Sequence, residues 1–419
     1  MTMTASVIEE RFRAAKQASR HVARLTSAQK AEALVAIADA LEAQSERIIA
    51  ANAEDLQRGR DNNIGDSLLD RLALDAARVS ALADATREVA SLPDPVGEIV
   101  RGSRLANGVR LEQIRVPFGV VGAIYEARPN VTVDIAALAL RSGNASVLRG
   151  GSAALSSNMV LVDVMREALA GIGIDRDAIQ TVDDFGRDGA NALMTGRGFI
   201  DVLVPRGSAA LIETVVTTST VPVIETGAGN VHVVLDSTAP DDWARDITVN
   251  SKTHRPSVCN SAESVLILRD AAERLVPLVG SALQDAGVTI HGDETVRGLL
   301  GGVVEATEED WETEYLTLDI AMKVVDTLDE AMDHIARYST HHTETIVTTD
   351  VRNAERFLSE VDSAAVYVNT STRFTDGGEY GFGAEVGIST QKLHARGPMG
   401  LPELTSTKWV GRGAGQVRR

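Results

Sequence analysis

Between residues 31 and 50, "AEALVAIADALEAQSERIIA", apolar residues return every three or four positions, so that Leu34, Ile37, Ala38, Leu41 and Ile48 share one helical face. The same Ala-, Leu-, Glu- and Arg-rich pattern runs from residue 5 to about 90 and predicts a helical opening segment. "SLPDPVGEIV" breaks it with two prolines and a glycine. In "SRLANGVRLEQIRV" the pair Asn107-Gly108 sits between alternating residues, which predicts a tight hairpin with a type I′ turn and positive φ at both central positions.

From residue 116 the period changes. Short Val/Ile runs now alternate with Ala-rich helical stretches: "GVVGAIYE" as a strand, "VTVDIAALALRSG" as a helix, "ASVLRG" as a strand, and "SAALSSNMVLVDVMREALAGIG" as a helix. "AIQTVDD", the helix "GANALMTG", the strand "FIDVLVP", the helix "SAALIETVVTTS" and a strand "VPVIET" continue the series. Repeated strand-helix-strand units imply a mostly parallel sheet covered on both faces, an α/β domain of the nucleotide-binding kind. No GxGxxG stands at the first turn, so a dinucleotide would have to be held in another way. After residue 229 a second α/β unit follows, with strands at "NVHVVLD", "SVLILRD", "VTIHG" and "AAVYVN" and the pairs "AMKVVDTLDEAMDHIARY" and "ETIVTTDVRNAERFLSEV". The glycine-dense tail ends in a strand, "STKWVGR".

Composition narrows the functional classes. The chain has 419 residues, enough for two or three cores, and a net charge of −18 that argues against nucleic acid or anionic membrane as partners. No apolar run reaches signal-peptide or membrane-span length, which gives the expectation of a soluble cytoplasmic protein. The single cysteine, Cys259 in "THRPSVCNSAES", excludes an internal disulfide and a cysteine-based zinc site. It is either a small buried hydrophobe or a nucleophile, and the neighbouring Lys252, His254 and Arg255 favour a reactive thiolate. The pairs Glu379/Glu385 and His341/His342 lack a fuller ligand set, so no metal is expected.

Four long stretches in order, "VPFGVVGAIYEARPNVTVDIAALALRSGNASVLRGG", "PVIETGAGNVHVVLD", "RPSVCNSAES" and "GAEVGISTQKLHARGPMG", resemble the γ-glutamyl phosphate reductases, also called glutamate-5-semialdehyde dehydrogenases, of the aldehyde dehydrogenase superfamily. The resemblance implies an aldehyde-dehydrogenase-like α/β fold with three parts. A Rossmann-like cofactor domain would comprise residues 1–101 and 121–228, and an α/β catalytic domain residues 229–388. A small β oligomerisation element, from the hairpin 102–120 and the tail 389–419, would build at least a homodimer.

It also implies roles. Cys259 would attack the acyl phosphate of L-glutamyl 5-phosphate and carry a thioester that is reduced to L-glutamate 5-semialdehyde, a step of proline biosynthesis. Asn130 matches the superfamily's oxyanion asparagine, and it would also cap a helix starting at Val131. Glu225 lies 34 positions before Cys259, where hydrolytic relatives keep a water-activating glutamate. A reductive reaction has no water to activate, and "ETGAGN" departs from the usual "ELGGK", so an orienting or proton-shuttling role is expected before that of catalytic base.

For the cofactor, Arg149 replaces the usual lysine of the adenosine-ribose site and Ser152 stands where NAD-preferring members place a glutamate. A cation kept and an anion removed suit a 2′-phosphate, hence NADPH/NADP. Gly207 and Ser208 open a helix suited to pyrophosphate, and Glu314 matches the glutamate of the nicotinamide ribose. Arg128, Arg255, Arg373 and Lys392 are the candidate cations for the substrate's carboxylate and phosphate. A transient contact with glutamate 5-kinase, source of the labile acyl phosphate, is a further expectation. Two alternatives stay open: another cysteine-dependent aldehyde dehydrogenase, hydrolytic or CoA-acylating, and a non-catalytic nucleotide-binding protein.

Overall fold

The computed structural model describes residues 3–126 and 128–418. The chain divides into two compact units, one of Met1–Glu225, Phe382–Gly387 and Met399–Arg419, the other of Thr226–Gly381 and Ile388–Pro398. The division at 225/226 lies three residues before the boundary expected from the sequence.

The first unit opens with helices α1 (Met3–Val22), α2 (Ser27–Ala43), α3 (Ser45–Asp61), α4 (Asp66–Leu72) and α5 (Ala76–Ser91). Starts are marked as the residue types require. Thr26 and Gln29 form a capping box before α2, and Asp75 accepts from Arg78 N at the start of α5. Strands β1 (Ile99–Arg104) and β2 (Arg110–Pro117) then pair antiparallel. Their turn differs from the expected type I′: Gly108 N donates to Leu105 O, and positive φ occurs at Gly108 (89°) but not at Asn107. The loop is thus one residue longer, with glycine taking the left-handed position after the turn.

The parallel sheet of this unit is built by β3 (Val120–Tyr125), α6 (Pro129–Arg141), β4 (Ala145–Arg149), α7 (Leu155–Gly171), β5 (Ile179–Thr181), α8 (Gly186–Thr195), β6 (Val202–Arg206) and α9 (Ala209–Thr218). Among the described residues the strand order is β5-β4-β3-β6, so the winding reverses between β3 and β6. Ligand crevices of such sheets open at the carboxyl ends of the strands beside that reversal. The segment "VPVIET" is not a strand: among the described residues it meets the sheet at a bridge of Leu203 with Val223, where Leu203 N donates to Pro222 O and Ile224 N to Leu203 O. Ile8 and Phe12 of α1 pack with Val120, Ile124, Val147, Leu193 and Leu203 in one apolar cluster.

The second unit runs β7 (Val231–Leu235), α10 (Asp241–Thr253), β8 (Ala262–Leu268), α11 (Ala272–Asp285), β9 (Thr289–Gly292), α12 (Glu294–Leu299), β10 (Val304–Glu305) and α13 (Glu308–Glu312). It continues with β11 (Asp319–Val325), α14 (Leu328–Tyr338), β12 (Thr343–Val347), α15 (Val351–Glu360) and β13 (Ala365–Val368). Seven parallel strands lie in the order β10-β9-β11-β8-β7-β12-β13. Neighbouring residues of one strand serve opposite faces: Val233, Val265 and Ile267 pack with Leu275 and Val279, whereas Val234 and Leu266 pack with Ile335 and Phe357. Two covered faces explain why these strands read as continuous apolar runs.

After β14 (Gly387–Ser389) and β15 (Gly397–Met399), strand β16 (Thr405–Arg412) returns to pair antiparallel with β2, giving a three-stranded sheet β1-β2-β16 in the first unit. Among the described residues no helix is long and apolar enough to cross a membrane.

Candidate active site

Cys259 lies in the turn between α10 and β8 and is half-buried. Polar side chains fix this turn. Asn260 Nδ2 donates to Thr375 O (2.8 Å), Thr372 Oγ1 donates to Asn260 O (2.7 Å), and Ser261 Oγ reaches the carbonyls of Ser251 and Lys252. The backbone of "ETGAGN" presses against it from the neighbouring strand entry: a Cβ on Gly229 would stand 1.5 Å from the carbonyl oxygen of Cys259. Only glycine fits such an approach. Gly229 is itself held, since its N–H donates to Glu314 Oε1 at 2.6 Å, and burial raises the Glu314 carboxyl above its ordinary value. Cys259, Gly229 and Glu314 therefore form one connected cluster at the amino ends of β7, β8 and β11.

Of the cations expected near the sulfur, Lys252 is engaged elsewhere. Lys252 is fully buried and paired with Glu263 at 2.5 Å. Burial lowers its pKa and pushes the Glu263 carboxyl up to about 7, so the charge of Lys252 is spent inside the fold. Arg373 interacts with Cys259 through space. Burial lowers its pKa, and the charges of Asp376 and Cys259 oppose that effect while Arg255 adds to it. A guanidinium in electrostatic reach of the sulfur favours the anionic thiolate. Arg373 Nε also donates to His254 Nδ1 (3.3 Å), bringing His254 into the same group. Lys392 is exposed in an ion pair with Asp362 that Arg396 shares, and the two cations hold the Asp362 carboxyl down to about 2. His341 and His342 part company: His341 Nδ1 meets Asp362 O at 2.9 Å, and burial pushes His342 down to about 4. Among the described residues no group of three His, Cys, Asp or Glu could hold a metal ion.

In the first unit the candidates stand at the carboxyl ends of the strands. After β3, Arg128 is the exposed N-cap of α6 and makes no side-chain cap bond. The helix starts at Pro129, two residues earlier than expected, because proline suits the first helical position. Asn130 is thus inside the helix rather than its cap, half-buried, with Nδ2 donating to Asp134 Oδ2 at 3.0 Å. At the end of β4, Arg149 Nε donates to Gly186 O (3.4 Å), and exposed Ser152 opens a short 3₁₀ turn before α7. Behind Arg149 a buried network joins Tyr125, Thr132, Asn158 and Asp183 to Gly150 N–H. Burial pushes Asp183 up to about 6 against the pull of Asn158, Gly150 and Arg149.

After β6, Gly207 and Ser208 precede α9, and an oxyanion already sits there. The Glu126 carboxylate accepts from Ser208 N (2.9 Å) and Ser208 Oγ (2.9 Å), and a Cβ on Gly207 would meet Glu126 Oε2 at 2.7 Å. This turn is therefore built to receive an anion, as a pyrophosphate site requires. Glu225 is half-buried just beyond the Val223 bridge. Glu126 and Asp183 carry no local signature, since their partners are distant in the chain, as Ser208 is from Glu126 at 82 positions; Asp134 meets Asn130 only four positions away, a spacing that is visible in the sequence.

The profile of the aldehyde dehydrogenase family matches residues 1–318. The chain is 64% identical over 417 residues to the γ-glutamyl phosphate reductase of Leifsonia xyli, covering 100% of this chain and 99% of that one. The chain belongs to the γ-glutamyl phosphate reductase family. The corresponding enzyme of Clavibacter michiganensis is 63% identical, over 99% of this chain and 96% of that one. Among solved structures, the γ-glutamyl phosphate reductase of Thermotoga maritima superposes with a TM-score of 0.97 at 43% identity, covering 98% of this chain and 100% of that one. As the family implies, the protein is an oxidoreductase of the aldehyde dehydrogenase superfamily acting in proline biosynthesis.

Proposed function

We propose that the chain reduces L-glutamyl 5-phosphate to L-glutamate 5-semialdehyde with Cys259 as nucleophile and NADPH as cofactor. The observation that carries this reading is the Cys259 turn, clamped by Asn260, Thr372 and Gly229, with Arg373 acting on Cys259 through space. The thiolate of Cys259 attacks the acyl carbon, phosphate departs, and a thioester remains. A nicotinamide cofactor, when bound, supplies the hydride that reduces the thioester carbonyl. Collapse of the resulting thiohemiacetal frees the aldehyde and restores the thiol.

Asn130 Nδ2 and the Cys259 backbone N–H are assigned to the charge that develops on the carbonyl oxygen. Arg149 is assigned to the 2′-phosphate, Ser208 N–H and Oγ to the pyrophosphate in exchange for Glu126, and Glu314 to the nicotinamide ribose. Arg128, Arg255 and Arg373 remain the cations for substrate. Lys392, engaged with Asp362, is a weaker candidate. Glu225 is given an orienting role. The chain is expected to work in the cytoplasm as a homodimer or higher homo-oligomer through the β1-β2-β16 sheet, and in passing contact with glutamate 5-kinase.

The test is oxidation of glutamate 5-semialdehyde with NADP⁺, with and without inorganic phosphate. Turnover is expected to require phosphate and to vanish in Cys259→Ser while cofactor binding persists. Acid formation without phosphate would point to a hydrolytic dehydrogenase instead.

A further inference from the structure

Among the described residues the Asn130 amide nitrogen donates to Asp134 Oδ2, one turn on along α6, and the two side chains meet at 3.0 Å as residues four apart on a helix do. Asp134 is half-buried, and among the described residues it has no salt bridge. It borders a cavity of about 210 Å³ between α5, α6 and residues 383–385. The charged and titratable groups around it come from several elements. Arg206 at the end of β6 acts on it through space, Tyr125 of β3 feels its charge, and Glu88 of α5 and Glu385 share the cavity wall. Partial burial without a paired cation works against the charged form of this carboxylate, and its hydrogen bond to Asn130 is what it holds in return.

We infer that Asp134 is a positioning residue that fixes the Asn130 amide for catalysis. The inference rests on the role assigned to Asn130 above. An amide nitrogen carries two hydrogens, whereas an ionised carboxylate can only accept. Asp134 therefore selects the nitrogen end of the amide, takes one hydrogen, and leaves the second for the developing oxyanion. Once protonated, the carboxyl can donate to Asn130 Oδ1 instead, and the amide orientation is no longer specified. Burial, opposed by Arg206 and by the Asn130 bond, pushes Asp134 up to about 6. Its ionised form thus prevails at neutral pH and is lost as the pH falls through 6. The stability sign is opposite: a carboxyl whose folded pKa is raised costs stability above its unfolded value, fully so above its folded value. Removing the charge should leave the melting temperature at pH 8 unchanged or higher.

The experiment compares Asp134→Asn, Asp134→Glu, Asn130→Ala and the double variant Asp134→Asn/Asn130→Ala in the phosphate-dependent assay between pH 5.5 and 9. Loss of one oxyanion donor in Asn130→Ala should cost about 10²- to 10³-fold in kcat. Asp134→Asn should lower kcat by about tenfold with both KM values within about twofold, and its kcat should lose the step near pH 6. Asp134→Glu, again an acceptor, should recover part of that loss. In the Asn130→Ala background the Asp134 substitution should add nothing, since it acts through the missing amide. Wild-type activity and pH profile in Asp134→Asn, beside a collapsed Asn130→Ala, would overturn the inference and leave the proposed function standing. Additive losses, or a fall in melting temperature matching the loss of activity, would overturn it as well. Full activity in Asn130→Ala would instead remove the assignment of Asn130, and the inference with it.

Discussion

The two units place their candidate residues at opposite ends of their strands. In the first, Asn130, Arg149, Ser152, Gly207 and Ser208 follow the carboxyl ends of β3, β4 and β6, where helix N-termini open. In the second, Gly229, Cys259 and Glu314 precede the amino ends of β7, β8 and β11, and the helix that leads into the Cys259 turn, α10, arrives by its C-terminus. Helix N-termini carry partial positive charge and welcome anions, and C-termini repel them. Backbone donors at the first unit's helix starts suit the phosphates proposed there, whereas a thiolate at Cys259 would call for a side-chain cation. Lys252 in the last turn of α10 would answer that need, but Glu263 has claimed it. Arg373 has to be imported from the far end of the unit.

The largest effect is expected where the second unit leaves no room. In Gly229→Ala the added methyl would overlap the Cys259 carbonyl, so one backbone must move by more than the tolerance of a reacting group. A misplacement near 1 Å costs on the order of 10²-fold in rate, and kcat should fall by at least that while the cofactor still binds, as fluorescence titration would show. Near-normal kcat would mean that the turn adjusts without penalty and that its packing does not set the chemistry.

Arg373→Ala tests the imported cation. Alkylation of Cys259 by iodoacetamide near pH 7 should slow by about tenfold, because the thiolate loses its neighbouring positive charge. An unchanged rate would move the thiolate's support to His254 or Arg255. Measuring alkylation rather than turnover keeps this effect apart from any part Arg373 plays in holding substrate.

How much of this was legible in the sequence follows from the range of each interaction. Strands such as "SVLILRD" announced themselves because both faces are buried, and the αβ alternation gave the layers. The segment "VPVIET" misled, since apolar runs look alike whether one residue or five join the ladder. The capping role expected for Asn130 beside its oxyanion role does not hold, because Pro129 occupies the first helical position and puts Asn130 inside the helix. Lys252 looked like a cation near Cys259 on grounds of proximity in the chain. Its burial against Glu263, and the arrival of Arg373, 119 positions from His254, are tertiary facts with no local signature.

In the first unit the effects should be selective rather than general. Arg149→Ala should raise the KM for NADPH by about ten- to a hundredfold, the range of a hydrogen bond to a charged group, and leave that for NADH nearly unchanged. Equal losses would assign Arg149 to a part common to both cofactors, or to its bond with Gly186 O.

The smallest effect concerns the carboxylate already lodged at the start of α9. If Ser208 N–H and Oγ are to receive a pyrophosphate, the Glu126 carboxylate has to leave them, and its attraction to the helix N-terminus opposes cofactor binding. Glu126→Gln keeps the size and one acceptor oxygen but removes the charge. A charge at a helix N-terminus is worth about 0.3–1 kcal/mol at an exposed site, which corresponds to a gain in NADPH affinity of roughly twofold to fivefold. The gain should shrink as ionic strength rises, because the competition is between exposed anions. Salt-dependent titration of NADPH into wild type and variant measures both. Unchanged affinity at low salt would show that the two anions use different donors. Weaker binding would make Glu126 a contributor to the cofactor site, and the α9 terminus would then be set up by the carboxylate rather than blocked by it.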